Sequence, residues 1–392
     1  MHVIVNLLPI VAGGGLQNAL SFIKAFSAVN EKNDYVFLVR CNSEIEKLCD
    51  QNGLQVIRVG NNDRARLKFE FLSRNIFQKG QVCFTLFGPV MLGASGYLNN
   101  IVGCAYSNLF YPKLSFWSYL PIHRRIKKEL IDLYRRRQLA KGDYWIFETE
   151  VLKRRAIEIC CFPEDRVSVV PMAASSLVSR GNINLQALNE YSRLCPGRFK
   201  FLFLSGAHPN KRLHLLPAIG MQMRRMGFDS FAFITTFEED THYAKFVISE
   251  IEKHGLSGHF KNIGKVAATE VSTLIASINC ICTFSLLESF SNNFVEAWKM
   301  EVPLVVTDGD WSKDSCGEGA IYVQPDDPGK CAQSLISICE NRTLVDKQIA
   351  MGINQLAKYP SPERKLRLYL DVIAKAAKMG PLPGKVKKIT WG

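Results

Sequence analysis

The sequence lacks the closely spaced cysteine pairs that mark disulfide frameworks and zinc sites. Its 12 cysteines include no Cys-x-x-Cys pair, and two of them, Cys280 and Cys282, fall within an apolar run typical of a buried strand. We therefore expect free buried thiols, which excludes a disulfide-stapled secreted fold and indicates a reducing, cytoplasmic compartment.

A secretory leader and a membrane-spanning helix are also missing from the pattern. No Lys or Arg precedes the strand-like run that begins at Val3, and Gly13, Gly14 and Gly15 stand where the apolar core of a leader would continue. Residues 80–112 carry no charged side chain, but glycine, proline and asparagine divide them into strand-length pieces. Secretion and membrane crossing are therefore not expected.

Acidic residues are scarce relative to basic ones. The chain has 36 Asp and Glu against 49 Lys and Arg, a formal net charge of +13. An excess of this kind favours an anionic partner, such as a membrane surface, a nucleic acid or a phosphorylated substrate. Because no recognisable nucleic-acid-binding module accompanies the charge, no nucleic acid is expected as a partner.

What the sequence does have is a regular alternation of strand-like and helical segments over 392 residues. Such alternation is typical of parallel sheets covered by helices, and the length suffices for two such domains. We predict an α/β fold with a Rossmann-like domain in residues 1–172, a linker in 173–198 and a second Rossmann-like domain in 199–375. Residues 376–392 are expected to pack back on the first domain.

One stretch, residues 285–300, has the pattern of an anion site. Apolar runs before and after it predict two buried strands, and a polar turn and a short helix lie between them. Ser291, Asn292 and Asn293 are candidates for capping that helix. The first N–H groups of a helix have no intrahelical partner and carry the positive end of its dipole. A diphosphate is therefore the expected ligand.

Two carboxylates complete this stretch. Glu288 lies in the turn, and Glu296 lies about one helical turn inside the helix, where a carboxylate can accept hydrogen bonds from both hydroxyls of a ribose. The alternative is that Glu288 caps a neighbouring backbone N–H and that Glu296 is a solvated helix residue. The first interpretation predicts a sugar-nucleotide site.

The spacing of these acids resembles the motif of the retaining GT-B glycosyltransferases of family 4. Glu288 and Glu296-Ala are similar to that family's Glu-x7-Glu-Ala-Met, with Trp298 in place of the Met, and the following Gly-x-Pro-Val-Val has Glu301 in place of its Gly. The resemblance implies the GT-B fold, in which two doubly wound Rossmann-like domains face a central cleft. It extends over the whole chain in architecture, with specific matches in residues 199–325.

The resemblance also implies the residues of the donor site. Lys211 matches a lysine that contacts the donor diphosphate, a role suited to a point charge, and the alternative is an ordinary surface lysine. The Arg that relatives place directly after Gly206 is absent. The expected catalytic residues are Lys211 and Glu288, the latter as a positioner of the donor sugar. The expected donor contacts are Gly206, His208, Lys211, Arg212, Gly264, Ser291, Asn292, Asn293, Phe294 and Glu296.

Two features are assigned to the first domain. Gly13–Gly15 match the family's loop near the acceptor and the donor phosphates, and the alternative is a tight strand-to-helix turn. The His that many relatives place near residues 101–112 is absent. Residues 121–141 predict a basic amphipathic helix that lies on an anionic membrane, or alternatively packs on its own domain with a solvated face. The expected membrane contacts are Arg124, Arg125, Lys127, Lys128, Arg135, Arg136 and Arg137.

No cofactor or metal ion is expected. Asp308-Gly309-Asp310 imitates a metal-binding Asp-x-Asp, but its position after a strand is wrong for that role. We predict a retaining hexosyltransferase that uses an NDP-sugar and a glycan or lipid-linked acceptor, peripheral on the inner face of the cytoplasmic membrane. Bacterial surface-polysaccharide assembly, such as that of lipopolysaccharide or O-antigen, is the expected setting. The rivals are a GT-B-type sugar-nucleotide epimerase or hydrolase and a non-catalytic sugar-nucleotide or membrane-binding protein.

Overall fold

A computed structural model describes residues 3–29, 34–114, 116–175 and 177–383. Within these ranges the chain divides into two compact units. The first unit holds residues 3–173 together with 360–383, and the second holds Ala174–Tyr359. All 12 cysteines are free thiols, which confirms that prediction.

The first unit is built on a seven-stranded parallel sheet with the strand order β3-β2-β1-β4-β5-β6-β7. Its central strands are buried along their whole length, as expected for a sheet that helices cover on both faces. The elements are β1 (Val3–Asn6), α1 (Gly13–Phe26), β2 (Tyr35–Arg40), α2 (Glu44–Gln51), β3 (Val56–Val59), α3 (Asp63–Leu72), β4 (Val82–Thr85), β5 (Asn99–Gly103), α4 (Ile122–Leu139), β6 (Tyr144–Phe147), α5 (Glu150–Cys160) and β7 (Val167–Val169).

The second unit is built on a six-stranded parallel sheet with the strand order β10-β9-β8-β11-β12-β13. Phe201, Phe203 and Phe233 lie in its core, and the surrounding helices cover them. The elements are α6 (Leu185–Ser192), β8 (Phe199–Phe203), α7 (Leu216–Arg225), β9 (Phe231–Thr235), α8 (His242–Lys253), β10 (Phe260–Asn262), α9 (Val271–Ala276), β11 (Cys280–Thr283), α10 (Asn292–Lys299), β12 (Leu304–Thr307), α11 (Asp310–Cys316), β13 (Ile321–Val323), α12 (Pro328–Glu340) and α13 (Arg342–Leu356).

The last helix, α14 (Pro362–Met379), belongs to the first unit. Tyr369 and Ile373 pack into the core of that unit, and Asn99 Nδ2 donates to the Ala376 carbonyl at 3.0 Å. The chain therefore returns at residue 360, ahead of the expected start at 376. The expected linker, 173–198, lies almost entirely in the second unit, where the Asn184 N–H donates to Thr273 Oγ1 at 2.9 Å. Most of the expected returning segment, residues 384–392, lies outside the described residues.

No described helix is both long and apolar enough to cross a membrane. The uncharged stretch at 80–112 contributes β4 and β5 to the sheet of the first unit, with irregular segments between and after them.

Candidate functional site

The predicted donor residues meet where the strand order of the second unit changes direction. β8 pairs with β9 on one side and with β11 on the other, so the loops after β8 and β11 leave the sheet side by side. In open parallel sheets this switch point, at the carboxyl ends of the strands, is where ligands bind. Lys211 follows β8, and Ser285 and Glu288 follow β11. A small cavity between the two loops is lined by Phe203, Ser205, Lys211, Thr283, Ser285 and Asn293.

Lys211 and Glu288 form an ion pair across these loops. The Lys211 Nζ lies 2.5 Å from Glu288 Oε1, and Ser285 Oγ donates to the same oxygen at 2.5 Å. The Glu288 side chain is only 11% exposed, so the surrounding protein strengthens this contact relative to a surface pair. The two residues that the sequence assigned to catalysis are therefore in direct contact. Among the described residues, no backbone N–H donates to the Glu288 carboxylate, as the capping alternative required.

Asn210 fixes the relative position of the two loops. Its side chain donates from Nδ2 to the Leu287 carbonyl at 2.9 Å and accepts from the Leu287 N–H at 3.3 Å. Its carbonyl accepts from the Leu286 N–H at 2.8 Å. Sequence reasoning missed Asn210 and Ser285. The available signal was their position: each lies within three residues of a predicted catalytic side chain, where a small polar residue can orient it.

Glu296 is a buried carboxylate without a protein partner. It lies on α10, is 6% exposed, and receives neither a hydrogen bond nor an ion pair from any residue in the described part of the chain. Loss of hydration on burial disfavours the charged form and raises the pKa of Glu296 from 4.5 to about 7. The alternative of a solvated helix residue is therefore wrong. A buried acid in this state is the kind of group that a ligand donor can satisfy.

The helix that carries Glu296 begins differently from the prediction. Ser291 is the N-cap residue of α10, but its side chain makes no capping hydrogen bond. Asn293 Nδ2 donates instead to the Leu204 carbonyl at 3.1 Å and to Thr283 Oγ1 at 3.2 Å, which ties α10 to β8 and β11. The Phe294 N–H donates to the Ser291 carbonyl at 3.1 Å, because the first turn is tightened. Ser291 thus occupies the predicted N-cap position without a side-chain cap, Asn293 does not cap the helix, and the Phe294 amide is engaged within the turn.

Arg212 interacts with the protein rather than standing open to a ligand. It is 7% exposed, and its Nε donates to the Phe284 carbonyl at 2.8 Å. Its two terminal nitrogens donate to Asp326 Oδ2 at 2.5 Å and to Thr307 Oγ1 at 3.1 Å. Arg212 thus joins the loop after β8 to the ends of β11 and β12.

Replacing Arg212 with alanine is therefore expected to lower the free energy of unfolding by roughly 3 kcal/mol, because the buried Phe284 carbonyl and Thr307 hydroxyl lose their donor. Urea unfolding measures this change, and Arg225→Ala, at an exposed arginine of α7, is the matched control. A variant as stable as the control but unable to bind a nucleotide sugar would return Arg212 to the donor contacts.

The remaining predicted donor contacts surround this centre. Gly206 and His208 are exposed in the loop after β8, and His208 Nδ1 accepts from the Asn210 N–H at 3.1 Å. Gly264 follows β10, two strands away from β8, and has a φ of +73°, a conformation that glycine adopts readily. The residues around Asp308 hold no metal cluster in the described ranges, and Asp308 Oδ1 pairs with Lys313 Nζ at 2.6 Å.

In the first unit, Gly13–Gly15 form the first turn of α1. No side chain caps this helix start, its first turn holds no acidic residue, and Gly13 has a φ of +67° that favours glycine. Gly13 and Gly14 are exposed. The three glycines therefore leave an uncapped, unshielded helix start, which fits the predicted phosphate or acceptor loop as well as the tight-turn alternative.

The predicted basic helix is α4, but its seven basic residues divide into two groups. Arg124, Lys127, Lys128 and Arg137 are exposed. The half-buried ones are Arg125, Arg135 and Arg136, of which Arg135 pairs with Asp132 at 3.0 Å. A cavity of about 240 Å³ lies beside α4, and Arg125 and Arg136 contribute to its lining together with Trp117 and Tyr111.

Comparison with known proteins agrees with this architecture. Residues 198–341 match the family described as glycosyl transferases group 1. A glycosyltransferase from Rickettsia africae superposes with a TM-score of 0.69 at 15% identity, covering 96% of this chain and 99% of that one. HepE from Anabaena, in complex with UDP and glucose, gives 0.69 at 13% identity and covers 95% and 99%. Sucrose-phosphate synthase from Thermosynechococcus elongatus gives 0.70 at 11% identity and covers 95% and 100%. No curated protein matches the sequence. The structural likenesses confirm the predicted fold of two Rossmann-like α/β domains of the GT-B type.

Proposed function

We propose that this chain, whose residues 198–341 match the glycosyl transferases group 1 family, transfers a hexose from an NDP-sugar with retention of anomeric configuration. Two observations carry the proposal: the Lys211–Glu288 pair at a topological switch point, and, on the helix that follows the same loop, the buried carboxylate of Glu296, which has no partner among the described residues. The family match covers the same segment. The similarity to HepE, which binds UDP and UDP-glucose, supports a nucleoside diphosphate sugar as the donor.

Glu296 would bind the ribose of the donor. Two vicinal hydroxyls can each donate a hydrogen bond to one carboxylate, and these bonds offset the cost of holding an ionised group out of water. In the free protein that cost is visible as the raised pKa. Because the protein alone does not satisfy this acid, the hydrogen bonds from the ribose contribute strongly to the binding free energy.

Lys211 would bind the diphosphate and stabilise its departure. In the structure the Lys211 ammonium is neutralised by Glu288, so an incoming diphosphate competes for it. When the Lys211 ammonium moves from Glu288 to the phosphates, Glu288 is free to accept hydrogen bonds from the donor sugar. As the glycosidic bond breaks, negative charge grows on the diphosphate, where a fixed cation and the amides that open α10 lower the barrier without a metal ion. Glu288 acts here as a positioner rather than as a nucleophile.

The acceptor in this proposal is a glycan or a lipid-linked glycan, bound by the first unit with its glycine loop at Gly13–Gly15. The excess of basic residues, +13 overall, favours an acceptor that carries phosphate or lies on an anionic membrane. A role on the inner face of the cytoplasmic membrane in surface-polysaccharide assembly follows from that acceptor class.

A panel of UDP-, GDP-, ADP- and dTDP-sugars tests the proposal by thermal unfolding. A true donor present at 100 times its dissociation constant adds about 2.7 kcal/mol of stability, and the matching free nucleoside diphosphate adds part of it. Incubation with the donor and an acceptor extract, followed by NMR of the product, then reports the anomeric configuration. Stabilisation by none of the donors contradicts the proposal. Release of free sugar or of an epimer without acceptor favours the hydrolase or epimerase.

A further inference from the structure

Helix α4 presents its apolar side to water. Ile122, Ile126, Leu130 and Leu133 recur at spacings of four, four and three residues, so they lie along one side of the helix. They are 72%, 52%, 61% and 43% exposed. We call these four residues the outer stripe. The buried residues of α4 lie elsewhere on the helix, so it packs on its own domain with a solvated face, as the alternative for residues 121–141 stated, and that solvated face includes the apolar stripe.

The opposite side of α4 is polar and is the side that the domain holds. Asp132 is buried and accepts from Asn108 Nδ2 at 2.8 Å, from Trp117 Nε1 at 2.6 Å and from Arg135 Nη1 at 3.0 Å. Gln138 is buried on the same helix. These hydrogen bonds fix the rotation of α4 about its axis, because turning the outer stripe inward would take the Asp132 carboxylate away from its three donors. The exposure of the stripe is therefore specified by the sequence.

Two cations without acidic partners border the outer stripe. Lys127 and Arg137 are exposed, and neither forms an ion pair within the described residues, whereas the exposed Arg124 lies on the opposite side of the helix. The acid on this helix nearest to the stripe, Glu129, is already paired with Arg125 at 2.8 Å. An apolar stripe with unpaired cations beside it is the pattern of helices that lie in a membrane interface.

A helix close to α4 also exposes apolar side chains. On α3, Leu67 and Phe71 are spaced by four residues and are 39% and 75% exposed. The charges of Glu70 and Arg66 on α3 act on the pKa of Tyr134 on α4, which places the two helices close together. Tyr134 is itself 41% exposed. Tyrosine side chains prefer the boundary between lipid and water.

We propose that the outer stripe of α4 inserts among the acyl chains of an anionic lipid bilayer, with Lys127 and Arg137 against the headgroups. A second copy of this chain fits the surface less well, because pairing two such faces would bring unpaired cations together. The surface belongs wholly to the first unit, so lipid binding requires neither a nucleotide sugar nor the donor residues. It would bring that unit to an acceptor anchored in the same membrane.

Co-sedimentation of the full chain with vesicles tests the proposal. We expect binding to phosphatidylcholine vesicles that contain phosphatidylglycerol, weak binding to phosphatidylcholine alone, and loss of binding in high salt. Replacing Lys127 and Arg137 together with glutamine should weaken binding roughly 25-fold, since each basic residue contributes about fivefold. Ile126→Ser with Leu130→Ser should weaken it by about tenfold or more, because apolar area no longer leaves water.

Matched controls distinguish this surface from general stickiness. Leu185→Ser with Ile353→Ser changes two apolar residues of the second unit that are 74% and 43% exposed, and it should leave vesicle binding unchanged. Circular dichroism and thermal unfolding should match the wild type for all variants, because every altered side chain is exposed. Equal binding to neutral and anionic vesicles, or wild-type binding by the serine variant, overturns the proposal. The proposal is also overturned if the wild type does not bind vesicles and sedimentation velocity shows a dimer that the serine variant abolishes.

Discussion

Lys211→Ala is expected to lower the rate of sugar transfer at saturating donor by roughly 10²–10³-fold. The reason lies in where the lysine is. Its Nζ contacts Glu288 at the switch point of the second sheet, and only a quarter of its side chain, 26%, is exposed. A cation held there by the Asn210 contacts meets the charge that develops on the leaving diphosphate, and water that replaces it must reorganise during the reaction. Steady-state kinetics with separate determination of kcat and KM measures the effect.

Lys313→Ala is the matched control for this prediction. Lys313 is also a lysine of the second unit paired with a carboxylate, Asp308, at the end of a neighbouring strand. Its loss should leave kcat unchanged. Glu288→Gln should separate the two catalytic roles: nucleoside diphosphate binding is retained or strengthened, because Lys211 no longer has a competing partner, while transfer of the sugar falls. A Lys211→Ala protein with the kcat of the wild type contradicts the assignment of Lys211 to the leaving group.

The sequence pattern predicted the sheets well because buried parallel strands have a strong local signal. Strands β6 (Tyr144–Phe147) and β9 (Phe231–Thr235) are short, almost continuous apolar runs of this kind. Helix α13, which was not predicted, shows why the sequence pattern does not reveal every element. Its buried residues include Gln348, Gly352 and Gln355, so it lacks an apolar period. It packs instead by close approach, since Gly352 has no side chain to keep Trp298 away.

The two departures from the family motif also have structural reasons. Trp298, in place of the usual Met, is buried and donates from Nε1 to the Gly319 carbonyl at 2.7 Å. A Cβ at Gly352 would lie 2.6 Å from its ring, so a glycine on α13 makes room for the larger side chain. Glu301 has a φ of +57°, which explains why relatives have glycine there. Its pairing with Arg180 at 2.8 Å is a local contact that a motif does not show.

The sequence predicted which residues belong to the site better than it predicted the contacts that they make. Glu288 and Glu296 were identified from their spacing and Lys211 from the family resemblance, and the fold brings the loops that carry Lys211 and Glu288 together. The contacts of Arg212 could not be predicted, because its three acceptors come from positions 284, 307 and 326, which only the tertiary fold assembles. For the same reason, sequence periodicity identified α4 as amphipathic without showing which side faces the domain.

Glu296→Gln is expected to change donor affinity and stability in opposite directions. The folded-state pKa of Glu296 is about 7, raised from 4.5, so between these values the folded protein binds a proton that the unfolded chain has lost. The wild type therefore loses stability as pH rises from about 4.5 to 7, by up to roughly 3 kcal/mol. Glutamine carries no such charge. At pH 8 the variant should be the more stable protein in urea unfolding, and near pH 4 the difference should vanish.

Binding of the NDP-sugar should show the reverse dependence in the wild type. The ribose hydroxyls donate to the ionised carboxylate, so the dissociation constant should fall as pH rises towards 7, by about tenfold per unit below the pKa, and level off above it. The diphosphate of an NDP-sugar does not titrate in this range, so the slope reports a group of the protein, and its loss in Glu296→Gln identifies that group as Glu296. Glu296→Gln should bind more weakly at pH 8 and show no such slope, whereas Glu252→Gln, at an exposed acid of α8, should follow the wild type. An affinity that is independent of pH, with a variant as tight as the wild type, would place the ribose elsewhere and leave the buried acid as a purely destabilising group.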